Sequence, residues 1–129
     1  MAKVLIIEDD VYLTEDLKFF IEDEGHTCKV YRYADEVMEN LNNFGQYDFI
    51  ILDIMIMRGS RIRDDNTNIE TGEIFYKEIR EKYRTKKIII ISAKDIEDMT
   101  IDFRKEANVE IIEKPLNEKK IKRLLTMLR

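Results

Sequence analysis

The chain has 129 residues, 44% hydrophobic and 38% charged, with a formal net charge of −5, which are the proportions of one ordinary globular domain spanning 1–129. The acidic balance argues against direct nucleic-acid binding, which needs clustered Lys and Arg over the footprint. No apolar run reaches the roughly eighteen residues of a membrane span. Met1-Ala2-Lys3 leads straight into a strand without a signal-peptide pattern, and the single Cys precludes an internal disulfide, so a reducing, cytoplasmic setting is expected.

Strand-like runs at 3–7, 27–31, 48–52, 87–91 and 109–112 alternate with segments whose apolar residues recur at helical spacing, predicting a β-α unit repeated five times. Leu13, Leu17 and Ile21 mark the first helix, with Asp10 as its N-cap and Gly25 just past its end. Val37, Met38 and Leu41 mark the second, and Ile74, Phe75 and Ile79 the third. Ile96, Met99 and Phe103 mark a fourth, and Ile121, Leu124, Leu125 and Leu128 a fifth. The runs 4–7, 49–52 and 88–91 are continuously apolar, as parallel strands covered on both faces must be, whereas Cys28 to Arg32 alternates like an edge. Right-handed crossovers then give an α/β doubly wound sheet. The segment 58–71 interrupts this rhythm as a polar loop bearing Arg58, Arg61, Arg63, Asp64 and Asp65. Long loops of this kind are commonly functional, and an Arg cluster there suits an acidic partner or simply solvent.

Four of the five strands end in a functional group: Glu8-Asp9 after the first, Asp53 after the third, Ser92 after the fourth and Lys114 after the fifth. Ligands of open parallel sheets bind beyond the carboxyl ends of the strands, so these groups converge. Two carboxylates about 5 Å apart repel by roughly 3 kcal/mol at an effective dielectric near 20, and a small hard cation relieves that repulsion. Mg²⁺ suits a shallow site of carboxylates, water and substrate phosphate, with Asp9 and Asp53 as direct ligands and Glu8 acting directly or through water. Asp53 is the expected nucleophile toward phosphorus; Lys114 would neutralise charge on the transferring group, and Ser92 would hydrogen-bond one of its oxygens. Taken singly, each residue has an ordinary explanation: a helix cap, a turn, a surface lysine before a proline. Their joint placement at successive strand ends does not.

The runs Val4-Leu5-Ile6-Ile7-Glu8-Asp9-Asp10, Tyr47-Asp48-Phe49-Ile50-Ile51-Leu52-Asp53, Ile91-Ser92-Ala93-Lys94 and Glu113-Lys114-Pro115-Leu116 together resemble the receiver domain of two-component response regulators over the whole chain. The resemblance implies a flavodoxin-like (βα)5 fold with a five-stranded parallel sheet in the order 2-1-3-4-5. It implies Mg²⁺-dependent transfer of a phosphoryl group to Asp53 from a phosphohistidine of a sensor kinase or phosphotransfer protein. Glu8, Asp9, Asp53 and the backbone carbonyl of Met55 would be the metal ligands, Ser92 the switch hydroxyl, Lys114 the family's lysine, and the peptide before Pro115 cis. Such a domain is a signalling switch, catalysing only its own phosphorylation and dephosphorylation. With the last helix reaching Arg129, output is expected through an effector protein or a homodimer.

Three departures from that pattern stand out. Met57 replaces a proline, the glycine opening the third helix is displaced to Gly72, and Ile111 stands where the family has an aromatic switch residue. They favour a rival reading, a phosphorylation-independent pseudo-receiver that works by protein contact alone. A Mg²⁺-dependent phosphohydrolase would place a second Asp two residues after the nucleophile, where this chain has Met55, and no Gly-rich loop ending in Gly-Lys-Ser/Thr signals a nucleotide enzyme. His26 reads as a surface turn residue, Cys28 as an inert strand thiol, and Met55 and Met57 as packing residues.

Overall fold

The computed structural model describes residues 1–57, 59 and 69–129. The Arg58, Arg61, Arg63 cluster, with Asp64 and Asp65, lies outside the described residues.

Five strands, β1 (Lys3–Ile7), β2 (Thr27–Tyr31), β3 (Phe49–Asp53), β4 (Lys87–Ser92) and β5 (Val109–Glu113), form one sheet in the order β2-β1-β3-β4-β5. All four pairings are parallel. Among the described residues four α-helices connect the strands or extend beyond the last of them: α1 (Val11–Asp23), α2 (Ala34–Asn40), α3 (Thr71–Lys82) and α4 (Glu118–Met127). The apolar runs at 4–7 and 49–52 are buried throughout because both faces of the sheet are covered. Leu5, Ile7, Ile50, Leu52 and Ile90 face α2, α3, Met99 and Phe103, while Val4, Ile6, Ile51, Ile89 and Ile91 face α1 and α4. Each of these side chains, taken out of water, contributes about 1.5–3 kcal/mol. The alternating β2 is an edge strand, as its pattern requires.

The helix termini obey their sequence signals. Asp10 Oδ1 accepts from the Leu13 N–H at 3.1 Å to cap α1. At the other end Gly25 adopts φ 92°, a conformation that costs a glycine little, so that the N–H groups of Gly25 and His26 reach the carbonyls of Glu22 and Ile21. His26 is not a free turn residue. Its Nδ1 accepts the Ala2 N–H at 2.9 Å and ties the N-terminus to the α1–β2 turn.

The fourth connection departs from expectation. Ile96, Met99 and Phe103 do not lie on an α-helix; two short 3₁₀ turns, Ile96–Asp98 and Phe103–Lys105, replace it. Asp102 accepts the Arg104 N–H locally, the Phe103 ring packs edge-on against Tyr76 at 5.0 Å, and the Ile101 N–H bonds to the Glu73 carboxylate at 2.7 Å. Asp side chains that bond nearby backbone compete with helix formation, and an amide drawn to a distant acceptor cannot join a helical ladder. Arg80 secures the opposite end of α3, donating through Nη1 to the carbonyls of Tyr83, Arg84 and Lys86 and through Nη2 to that of Ala107.

Candidate functional site

β1 and β3 deliver the acidic groups. Beyond Ile7 the ladder extends by one bond, Glu8 N–H to the Tyr31 carbonyl at 3.1 Å, which leaves the Glu8 side chain fully buried. β3 runs one residue further than its apolar core, so that Asp53 is the last strand residue and only 3% exposed. Oxygens of Glu8, Asp9 and Asp53 lie within 4.8 Å of one another. The loop after β3 is folded back onto them: the Met55 N–H donates to Asp53 Oδ1 and the Met57 N–H to Asp9 Oδ2, both at 3.2 Å. The Met55 and Met57 side chains are exposed, 46% and 75%, and do not pack as their composition suggested.

Lys114 reaches this cluster from the end of β5. Its Nζ donates to Glu8 Oε1 at 2.9 Å and stands 3.5 Å from Asp53 Oδ1. The strand end is anchored by the Lys114 N–H bonding the Ser92 carbonyl at 2.8 Å, and the Lys114–Pro115 peptide is cis. Burial pushes the Glu8 carboxyl up to about 8; the neighbouring Asp53 pushes the same way, and Lys114 only partly offsets both. Burial works against the Lys114 charge as well, but Glu8 and Asp53 outweigh it and hold the ammonium above its ordinary value.

Glu8 Oε2 is buried with no hydrogen-bond partner among the described residues. An ionised oxygen in that state is costly, and either a proton shared toward Asp53 or a hard cation would relieve it. Three carboxylates, one with an unsatisfied oxygen, are a donor set that fits Mg²⁺.

Ser92 ends β4 in the adjoining position, buried, but its hydroxyl is engaged locally. Oγ accepts the Lys94 N–H at 2.9 Å and donates to the Lys94 carbonyl at 3.0 Å. Gly72 supplies the close approach that brings α3 to the site. Its N–H bonds the Ile54 carbonyl at 2.8 Å, and a Cβ there would fall 2.6 Å from the Ile54 carbonyl oxygen and closer still to Ile54 Cα and the Asp53 carbonyl oxygen. The half-buried Ile111 packs against the core. Two features escaped sequence reasoning: the ion pair of Lys94 Nζ with Glu70 Oε1 at 3.1 Å, and the fully buried Glu73. The only sequence signal for Glu73 was its spacing three residues after the helix cap at Glu70.

A family model described as the response regulator receiver domain matches residues 4–126. The chain belongs to this family. Among relatives of the receiver domain, the transcriptional regulatory protein CiaR of Streptococcus pneumoniae (strain ATCC BAA-255 / R6) is 30% identical over 95 residues, which are 74% of this chain and 37% of CiaR. NtrX from Brucella abortus superposes with a TM-score of 0.75 at 23% identity, covering 98% of this chain and 27% of NtrX. The receiver domain thus spans little more than a third of the first protein and about a quarter of the second. TrrA from Thermotoga maritima, solved in complex with Mg(2+)-BeF, superposes at 0.73 with 24% identity and full coverage of both chains. TrrA has also been solved in complex with the histidine kinase ThkA. These likenesses establish the flavodoxin-like fold. No helix among the described residues is long and apolar enough to cross a membrane.

Proposed function

We propose that the receiver domain, a single unit over 1–129, is a phosphorylation-dependent signalling switch; the polar segment expected at 58–71 lies largely outside the described residues, and its last residue, Thr71, opens α3. Asp53 takes a phosphoryl group from a phosphohistidine of a sensor kinase or phosphotransfer protein. The observation that carries this reading is Lys114 Nζ standing 3.5 Å from Asp53 Oδ1, beside an acidic cluster able to hold a divalent cation. The TrrA structures, one with Mg(2+)-BeF and one with a histidine kinase, support the same reading by analogy.

A carboxylate oxygen of Asp53 forms the new bond to phosphorus while the phosphorus–nitrogen bond of the donor breaks, its electron pair leaving with the imidazole. Bound Mg²⁺, held by Glu8, Asp9, Asp53 and the Met55 carbonyl, would neutralise charge on the phosphoryl oxygens. Lys114 orients Asp53 and offers a second positive charge. Ser92 turns its hydroxyl from Lys94 toward a phosphoryl oxygen. Walls of buried Ile and Leu hold these groups in place before the donor arrives, so little reorganisation is needed. Hydrolysis of the aspartyl-phosphate resets the switch, and output runs through an effector protein or a second copy. The single half-buried thiol suits a reducing cytoplasm.

Intact-mass measurement after incubation with Mg²⁺ and acetyl phosphate tests the reading. A labile phosphoryl adduct is expected, absent without Mg²⁺ and absent in Asp53→Asn. The Ser92 hydroxyl's engagement with Lys94 favours the rival pseudo-receiver reading, and a folded protein that takes no adduct would establish that reading instead.

A further inference from the structure

Away from the acidic cluster, Glu73 is the buried carboxylate among the described residues, and both of its oxygens accept backbone N–H groups from different segments. Oε1 takes the Glu70 N–H at 3.1 Å, at the start of α3, and Oε2 takes the Ile101 N–H at 2.7 Å, in the β4–β5 connection. We propose that Glu73 is a positioning residue: by holding the Ile101 amide it sets how the connection 93–106 rests against α3, and through it the state of Asp53 reaches that connection. The proposal rests on Asp53 being the phosphoacceptor and names how its state is transmitted.

Two routes converge on the first turn of α3. In one, the Gly72 N–H holds that turn against the Ile54 carbonyl, one residue after Asp53. In the other, the Ser92 hydroxyl bonds the Lys94 backbone, Lys94 Nζ pairs with Glu70 Oε1, and the Glu70 N–H bonds Glu73. From Glu73 both routes continue to Ile101. A phosphoryl oxygen that drew the Ser92 hydroxyl away would remove its bond to the Lys94 carbonyl, shift Lys94 at Glu70, and alter the seat of the carboxylate that holds Ile101. A ligand moves an equilibrium only through differential contacts in the two states, and the Ser92 hydroxyl supplies that difference. The connection is able to respond because its two short 3₁₀ turns lack a continuous helical ladder, so opening it breaks few bonds.

Hydrogen exchange on the full chain, read on peptides covering 96–106 and paired with intact mass for the adduct, tests this with Mg²⁺ and acetyl phosphate. In the unsubstituted protein the adduct should change exchange in that segment by about tenfold, within the usual range of coupling between sites. Glu73→Gln, which leaves one amide without an acceptor, should raise exchange there by about tenfold before any phosphodonor is added, take the adduct to the same extent, and show no further response. Lys94→Met, a half-buried change that leaves the core intact and serves if Glu73→Gln fails to fold, should keep the basal protection and the adduct but lose the response. Basal exchange unchanged by Glu73→Gln, or a full response in Lys94→Met, would overturn the proposal. An unsubstituted protein that takes no adduct would sink the phosphoacceptor reading, while basal exchange in Glu73→Gln would still decide whether Glu73 holds the connection.

Discussion

Lys114 and Glu8 lie 106 residues apart in the chain and meet at 2.9 Å, the first at the end of β5 and the second at the end of β1. Their contact closes the site: it places one ammonium between a fully buried carboxylate and Asp53, and it exists only because β3 and β4 hold the two strand ends at the right separation.

Removing that ammonium strands the carboxylates. Lys114→Met should destabilise the metal-free protein by about 2 kcal/mol above pH 8, where Glu8 is ionised, and by roughly half as much near pH 6, where Glu8 takes a proton instead. Urea midpoints at the two pH values measure this. Equal losses at both would show that the Lys114 charge is not what Glu8 depends on.

Glu8 also sets a pH dependence. Its carboxyl rises from 4.5 in the unfolded chain to about 8 in the folded one, so the folded state holds an extra proton between those values. The group's contribution to metal-free stability is therefore complete below pH 4.5 and is lost as pH rises through 8. At the proposed site Mg²⁺ displaces the same proton, so its affinity should tighten as pH climbs from 6 to 8 by up to about tenfold per unit and then level off. Calorimetric titration with MgCl₂ at several pH values gives the curve, and Glu8→Gln should flatten it. A pH-independent affinity in the unsubstituted protein would contradict the assignment of Glu8 to the metal site.

Gly72 has no room for a side chain. Because the atoms a Cβ would strike are backbone atoms of Asp53 and Ile54, no rotamer change can relieve the clash. Gly72→Ala should cost about 2–3 kcal/mol and weaken Mg²⁺ binding, since the strain falls on the peptide that positions Asp53. A substitution that leaves both unchanged would mean that α3 can slide away from the site freely.

Arg80 binds the C-terminal end of α3 to two separate turns through four carbonyls. Arg80→Met keeps most of the apolar stem and removes the donors, and should lower stability by about 2 kcal/mol with little effect on Mg²⁺ binding at the far end of the sheet. Chemical denaturation compared with metal titration separates the two effects.

The sequence by itself determined the architecture and which side chains stand at the carboxyl ends of the strands. Continuously apolar runs at 4–7, 49–52 and 88–91 can be satisfied only between two covering layers, and a parallel sheet gathers the carboxyl ends of all its strands along one edge, so Glu8, Asp9, Asp53, Ser92 and Lys114 could be assembled from their positions alone. Asp10 and Gly25 fixed the ends of α1 for equally local reasons. Only the tertiary structure decided the connection from β4 to β5. Ile96, Met99 and Phe103 have helical spacing, yet burying Met99 and Phe103 is equally well achieved by two 3₁₀ turns once Glu73, on another element, takes the Ile101 amide. His26 became an acceptor for Ala2, and the Ser92 hydroxyl turned to Lys94, for the same reason. Periodicity records which side chains leave water, whereas the partner of a given N–H or O–H depends on which distant group folding brings within about 3 Å, and no local pattern encodes that.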